Sequence, residues 1–186
     1  MDVSTLPARR LKYPFLEGVD LGLRPGDRVW VVARDPSERR ALLGVLASAD
    51  GTAVVAPPSG TAMERSILEL AGEAADEAGL SGAVAVAAII EVLGALKLSS
   101  LARKVGALLP AERARLGVAC ALLAEPAVLL ADDALATPAL EAAASLGITA
   151  IAVASDQRGI QLADRVVHLV RGRLREAPRI ALVRSR

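Results

Sequence analysis

Two adjacent carboxylates, Asp132 and Asp133, stand directly after a short run of apolar residues, 128–131. A run without polar alternation is typical of a strand that is covered on both faces, as in a parallel sheet. Ligands of open α/β sheets bind beyond the carboxyl ends of the strands, so Asp132 is a candidate ligand for magnesium. Magnesium usually takes substrate phosphates as co-ligands. The alternative is a hydrogen-bonded carboxylate pair that caps the following turn.

A second candidate site lies at residues 33–40, where arginines flank an acidic segment. Asp35 is placed to cap a helix, with Pro36 as its first residue and Glu38 as its third. Both carboxylates would then satisfy free N–H groups of the first turn, so this helix start is predicted to be closed to phosphate. Attraction of an anion by the neighbouring guanidinium groups stays open as an alternative. These groups belong to Arg34, Arg39 and Arg40.

The segment that leads to the two carboxylates resembles the signature helix and Walker B strand of ATP-binding cassette (ABC) ATPases. Residues 112–123 carry apolar side chains at steps of three and four, which predicts a helix, and Pro126 ends it. The residues that carry the resemblance are Leu108-Leu109-Pro110-Ala111-Glu112, Arg113, Arg115 and Leu129-Leu130-Ala131-Asp132-Asp133. Residues 18–32 resemble the strand, Pro-Gly turn and strand before the family's phosphate loop. Residues 162–172 resemble its C-terminal hairpin.

This resemblance, from about residue 18 to 175, implies an α/β fold of the P-loop NTPase-like (ABC-type) class. Such a fold is a three-layer sandwich around a mostly parallel sheet. Residues 1–186 would form one domain with a trimmed β-subdomain. Its parts would be a sheet core from 18–58 and 108–175, a reduced helical subdomain at 59–107, and a basic C-terminal tail at 176–186.

The resemblance also implies which residues stand at the family's phosphate loop, GxxGxGK[ST]. In register, this motif falls on residues 33–40, where its three glycines are replaced. Arg39 stands at the phosphate-binding lysine and Arg40 at the hydroxyl that binds magnesium. The glycines matter because they let backbone N–H groups point at the phosphates. The altered loop therefore predicts the loss of phosphate binding.

Four further positions differ from the family's pattern. The glutamine that reaches the metal falls on the prolines at 57–58, and the signature at 108–112 lacks its serine and glycines. Asp133 stands at the catalytic glutamate, and Ser155 at the histidine that contacts the γ-phosphate. An upstream aromatic stacks on adenine in the family. Tyr13 is the candidate for that role, with a surface tyrosine as the alternative.

Several further elements follow from periodicity and turn residues. Strands are expected at 19–23, 28–32, 52–56, 147–154 and 165–171, and helices at 62–78, 83–98, 99–109 and from Thr137 to Leu146. The helix at 83–98 is almost wholly apolar, which is typical of a buried helix. The alternative for this helix is a groove that receives a partner protein.

Composition limits the remaining function classes. The chain has no run of 18 apolar residues and no apolar N-terminal region, so neither a membrane span nor a signal peptide is expected. Its single cysteine suits a reducing compartment.

Net charge is +1, but seven arginines lie within residues 165–186: 165, 171, 173, 175, 179, 184 and 186. They are expected to be solvated, with contact to anionic lipid or nucleic acid as the alternative.

Together these changes predict a catalytically inactive ABC-type subunit, because phosphoryl transfer depends on positioning and charge stabilisation by the missing groups. We expect no cofactor. Partners would be an active ABC ATPase subunit, a transmembrane permease, or both, in a homo- or heterodimer, and nucleic acid is not expected. Localisation would be cytoplasmic, at the inner face of the membrane through a partner. The alternative is a divergent nucleotide-binding protein or weak ATPase that uses Arg39, Arg40, Asp132 and Asp133 with ATP and magnesium.

Overall fold

A six-stranded sheet forms the centre of the molecule in the computed structural model, which describes residues 21–177. Its strands are β1 (Arg28–Val32), β2 (Thr52–Val54), β3 (Val128–Asp132), β4 (Thr149–Ala154), β5 (Arg165–Val170) and β6 (Arg173–Glu176). Their order is β2-β3-β4-β1-β5-β6, and only β6 runs antiparallel to its neighbour. The mostly parallel sheet expected from the apolar runs is confirmed.

Five α-helices cover the two faces of this sheet. They are α1 (Pro36–Ala47), α2 (Ile67–Glu77), α3 (Gly82–Ala95), α4 (Pro110–Leu122) and α5 (Ala136–Leu146). Side chains of a strand alternate between faces. Val29 and Val31 of β1 therefore share a core with Leu42 of α1, whereas Trp30 and Val32 share the opposite core with α4 and α5. The result is the predicted three-layer sandwich.

The strand expected at 19–23 is wrong for the part that the structure describes. Residues 21–23 are not in a strand, and residues 19 and 20 lie outside the described range. The turn after them does form, with the N–H of Asp27 donating to Arg24 O at 3.0 Å. A hairpin with β1 is nevertheless impossible, because β4 and β5 already occupy both edges of β1.

The apolar helix is buried on one face only, which corrects the expectation of burial all round. Ala85, Ile89 and Leu93 of α3 pack into the core. The opposite face is open within the described residues, with Val84 at 64%, Val86 at 58% and Ile90 at 59% exposure. Residues 99–109 also differ from prediction, since they form turns and a 3-10 helix (Val105–Ala107) rather than an α-helix.

Helix α5 begins two residues earlier than predicted, since the sequence places Thr137 at the cap and Pro138 as the first helical residue. A 3-10 helix (Asp133–Leu135) leads straight into Ala136, so Thr137 lies inside the helix and does not cap it. The C-terminal end agrees with prediction, because Gly147 adopts a left-handed φ of 70° directly after Leu146. Within residues 21–177, no helix combines the length and the apolar character needed to cross a bilayer.

Candidate functional site

The carboxyl ends of β1, β4 and β3 meet at one edge of the sheet and bring most of the predicted site together. β4 lies between the other two strands, and the N–H of Ala33 donates to Ala154 O at 2.8 Å, just beyond the paired residues. Asp132 ends β3 opposite Val153 of β4. The start of α1, the two carboxylates and Ser155 therefore share one small region, as expected for adjacent parallel strands.

Arg39 is the residue that links these elements. Its guanidinium Nη2 lies 3.1 Å from Asp133 Oδ2, and Nε lies 3.5 Å from Asp132 Oδ1. Its Nη1 donates to the carbonyl oxygen of Ala33 at 3.4 Å. The Arg39 side chain is only 18% exposed. One cation of the protein thus connects α1, the end of β1 and the end of β3.

Asp132 carries the least satisfied charge of the site. Its Oδ1 is buried and accepts no hydrogen bond, because the contact with Arg39 Nε is an ion pair without hydrogen-bond geometry. Desolvation by burial, and secondarily the charge of Asp133, raise the pKa of Asp132, while Arg39 opposes that rise. This oxygen is the one atom of the site that would favour an added cation, and the cation beside it is Arg39.

Asp133 is held by the neighbouring strand. Its φ of 29° turns the backbone sharply after β3. Asp133 Oδ1 accepts hydrogen bonds from Ser155 N at 2.9 Å and from Ser155 Oγ at 3.1 Å. Neither carboxylate caps the following turn, so that alternative is wrong for this pair. The carboxylate instead joins β3 to β4 and receives Arg39 from the other side.

The start of α1 is closed by the predicted cap. Asp35 Oδ1 accepts from Ser37 N at 2.8 Å, from Glu38 N at 3.0 Å and from the hydroxyl of Ser37. The Ser37 hydroxyl, followed by the two backbone donors, lowers the pKa of Asp35. Pro36 is the first helical residue and has no N–H. The donors that a phosphate would need at this helix start are therefore occupied.

Glu38 differs from prediction, because it does not close the cap. Its Oε1 accepts from the N–H of Gly172 at 2.8 Å, in the turn between β5 and β6. This long-range bond ties α1 to the hairpin. Sequence reasoning could not find it, since the local spacing of Glu38 matches a capping box and only the tertiary fold brings Gly172 close.

Two of the predicted binding residues do not join the site. Arg34 and Arg40 are exposed, and neither makes an ion pair with another residue in the range 21–177. Tyr13 lies outside the described residues, so its predicted contact with adenine stays a prediction. Arg39 is the only one of the three arginines that reaches the two carboxylates within the described chain.

The signature position is closed in a similar way by a contact that sequence reasoning missed. The N–H of Leu109 donates to Glu112 Oε2 at 2.8 Å, and Arg103 Nη1 lies 3.1 Å from Glu112 Oε1. The bond from Leu109, more than any other contact, lowers the pKa of Glu112. Glu112 stands three residues after Leu109, and this spacing could have signalled the contact.

The predicted glutamine position lies on an apolar groove. Pro57 and Pro58 form one wall of an open cavity of about 650 Å³, which α4 and the start of α5 complete. Gly117 of α4 packs directly beneath it, since a Cβ there would lie 2.4 Å from Ala56 O. Prolines have no N–H and no side-chain amide, so this wall lacks the amide group that the glutamine would supply.

A magnesium–nucleotide complex does not fit these residues. The first-turn donors of α1 bind Asp35, and the two strand-end carboxylates bind Arg39 and Ser155. Within residues 21–177, no group of three His, Cys, Asp or Glu side chains is placed to hold a metal ion. The charge of Arg39 at Asp132 also opposes entry of a second cation.

Comparison with known proteins finds likeness in structure alone. No family model matches the chain, and no curated protein matches it in sequence. An ATP-binding cassette of an ABC transporter in its ADP conformation superposes with a TM-score of 0.73 at 18% identity, covering 86% of this chain and 83% of that chain. CbiO1 from Clostridium perfringens, part of the ABC transporter complex CbiONQ, gives 0.73 at 14% identity, with coverage of 86% and 80%.

An inward-facing ABC transporter described as of metal-chelate type gives a TM-score of 0.72 at 15% identity, covering 86% of this chain and 75% of that chain. Identities this low establish the architecture and leave the activity open. The chain therefore has the fold of the ATP-binding cassettes of ABC transporters.

Proposed function

We propose that the chain is a catalytically inactive ABC-type subunit that acts as a structural or regulatory platform. The observation that carries this proposal is the position of Arg39. Its guanidinium connects Ala33, Asp132 and Asp133, and so places a side chain of the protein among the groups that would face phosphate and metal. An internal cation at this point competes with a metal ion for the two carboxylates, and its pairing with them leaves it less available to a phosphate.

The two helix starts support the same conclusion. The backbone donors at the start of α1 bind the carboxylate of Asp35, and the N–H of Leu109, just before α4, donates to the carboxylate of Glu112. An anion at either place would meet the negative charge of a carboxylate. Without phosphate positioning, the transition-state charge of phosphoryl transfer has no stabilising group. The chain would then act without ATP or magnesium and without hydrolysis.

Partners of the proposed subunit are an active ABC ATPase subunit, a transmembrane permease, or both. One of the similar structures is described as part of an ABC transporter complex, and another as an ABC transporter. The exposed face of α3 supplies apolar surface for such a contact. A subunit of this kind would be cytoplasmic and peripheral to the membrane through its partner.

A second candidate function is nucleotide binding by a divergent site. It is favoured by the exposure of Arg34 and Arg40, which make no ion pair within the described residues. Binding would require Arg39 to leave Asp132 and turn toward phosphate. This candidate predicts saturable binding of ATP that depends on magnesium and is abolished by Arg39→Ala or Asp132→Ala.

Co-purification from the native host tests the platform role. The tagged chain is expected to bring down an ABC ATPase or permease subunit in a fixed ratio, and Arg39→Met should not change that ratio because the role does not use nucleotide. A chain that purifies alone under mild cross-linking, or whose partners include no ABC subunit, would contradict the proposal. The double substitution Val86→Asp with Ile90→Asp examines the contribution of α3 to the contact.

A further inference from the structure

The hairpin of β5 and β6 has one buried face and one basic face. Alternate side chains point to opposite sides of a strand, and those that pack in the core under α1 are Val167, Leu169 and Leu174. The opposite side and the turn carry His168, Val170, Arg171, Arg173 and Arg175, which we call the basic face. It lies at an edge of the sheet, because β6 is the last strand.

The basic face carries one exposed apolar side chain between its cations. Arg175 pairs across the hairpin with His168, and Arg173 pairs with Val170. Directly opposed residues have neighbouring side chains. Val170 is 47% exposed, so an apolar side chain lies at the surface between arginines. Arg171 and Arg175 make no ion pair with any residue in the described range.

The single carboxylate of the hairpin strands lies on the opposite side of the sheet from the basic face. Glu176 lies on the face of Leu174, where Arg165 Nε donates to its Oε1 at 3.0 Å. Its charge is therefore paired with Arg165 on the other side of the sheet. The strands themselves place no carboxylate among the arginines of the basic face.

A groove of about 570 Å³ continues the basic face to the start of α1. His168 and Arg171 form one side of this groove, and Arg34 lies on the other. The groove also contains Asp35 and Glu38, whose carboxylates accept backbone N–H groups of α1 and of the β5–β6 turn. Arg34 thus adds a fourth guanidinium group to those of Arg171, Arg173 and Arg175.

The sequence that follows β6 has the same chemistry. Residues 178–186 contain three arginines, no acid and a run of four apolar residues at 180–183. Their structure lies outside the described range, so only their composition enters the argument. Both the folded face and the segment attached to it thus combine arginines with apolar residues and lack acidic residues.

We propose that the basic face is a docking surface for anionic lipid headgroups. A lipid interface accepts guanidinium groups at the headgroups and apolar side chains such as Val170 just below them. Single-stranded nucleic acid would instead favour aromatic side chains for stacking. The basic face carries no Phe, Tyr or Trp and offers only the imidazole of His168, and the only tryptophan, Trp30, is buried in the core. The proposal does not depend on the ABC-type role.

Flotation with phospholipid vesicles tests the proposal on the full chain. The chain is expected to float with vesicles of phosphatidylcholine that contain about one third phosphatidylserine, to stay behind with pure phosphatidylcholine, and to dissociate as salt rises. The double substitution Arg171→Glu with Arg175→Glu should weaken binding by about 30-fold or more, since each arginine near an anionic surface contributes about 5-fold.

The matched control is Lys97→Glu with Lys104→Glu, two exposed lysines of the helical region that give the same change in net charge. This variant should keep its vesicle binding. If circular dichroism shows that the arginine variant is unfolded, Arg171→Gln with Arg175→Gln replaces it.

Three outcomes would overturn the proposal. One is failure of the wild-type chain to bind anionic vesicles, and another is equal loss of binding in the lysine control. The third is binding to short single-stranded or duplex DNA, in place of vesicles, that the arginine substitutions abolish.

Discussion

Arg39 links the three segments that form the site. It is mostly buried, and its guanidinium faces two carboxylates and a carbonyl oxygen from three different segments. Both carboxylates are partly exposed, so solvent screening limits the stability that the pairs contribute. The pairing also bears on the proposed function, because Arg39 holds the two carboxylates that a metal ion would need.

Replacing Arg39 by methionine should therefore cost about 1 kcal/mol of unfolding free energy at neutral pH. The cost should shrink in acid, for the following reason. Burial already raises the pKa of Asp132 above its ordinary 3.8, and loss of Arg39 raises that pKa further. The folded state then holds the Asp132 proton more tightly than the unfolded state does, so stability falls as pH rises above about 4.

Urea unfolding at several pH values measures this effect, with Arg40→Met as the matched control. Arg40 is exposed and makes no ion pair in the described part of the chain, so its variant should match the wild type. Equal stability of the two variants at neutral pH would show that the contacts of Arg39 contribute nothing.

At the scale of elements, close packing and one-sided burial decide how the helices are placed. Gly117 lets α4 approach the segment after β2, where Ala56 O leaves no room for a Cβ. Helix α3 packs through Ala85, Ile89 and Leu93 and leaves Val86 and Ile90 in solvent. Neither feature follows from helix periodicity, because α3 is apolar on both faces and only the tertiary fold selects the buried one.

Gly117→Ala should destabilise the chain by about 1–3 kcal/mol, because the added methyl group would lie 2.4 Å from a backbone oxygen and force α4 to move. Gly94→Ala is the matched control. Gly94 lies in α3 with open space at its Cβ, so alanine should be neutral or stabilise by up to about 1 kcal/mol. Thermal melts of the two variants compare them directly. Equal effects would contradict the close approach of α4.

Adjacent isoleucines in α3 provide a second test at this scale. Ile89→Ala should cost about 2–5 kcal/mol because it opens a cavity in the core. Ile90→Ala should change the unfolding free energy by less than about 0.5 kcal/mol, since that side chain is 59% exposed. Denaturant unfolding of both variants measures the difference. A large cost at Ile90 would mean that the isolated chain buries the outer face of α3, for example in a homodimer.

At the scale of the whole molecule, the sequence predicts the order of elements better than their contacts. The apolar runs of β3 and β4 and the cap at Asp35 are local signals, and both are confirmed. The strand expected at 19–23 is not formed in its described part, residues 21–23, because β1 has no free edge, which is a property of the complete sheet. The link from Glu38 to Gly172 likewise joins residues that only the fold brings together.

The sequence predicts which residues belong to the site, but it does not predict how their side chains contact one another. The sequence predicts Arg39, Asp132, Asp133 and Ser155 as candidates, and the strand order explains why they meet. That the cation would bind both carboxylates, while Arg34 and Arg40 stay apart, depends on side-chain directions at the start of α1. Such directions are set by tertiary packing.

The central claim is that the chain acts without nucleotide, and calorimetric titration of the purified chain with ATP and magnesium tests it most directly. An active ATP-binding cassette serves as the positive control. We predict no saturable heat, with or without magnesium, for the wild type and for Arg39→Met. Saturable, magnesium-dependent binding that Arg39→Ala or Asp132→Ala abolishes would contradict the account and establish a divergent nucleotide site.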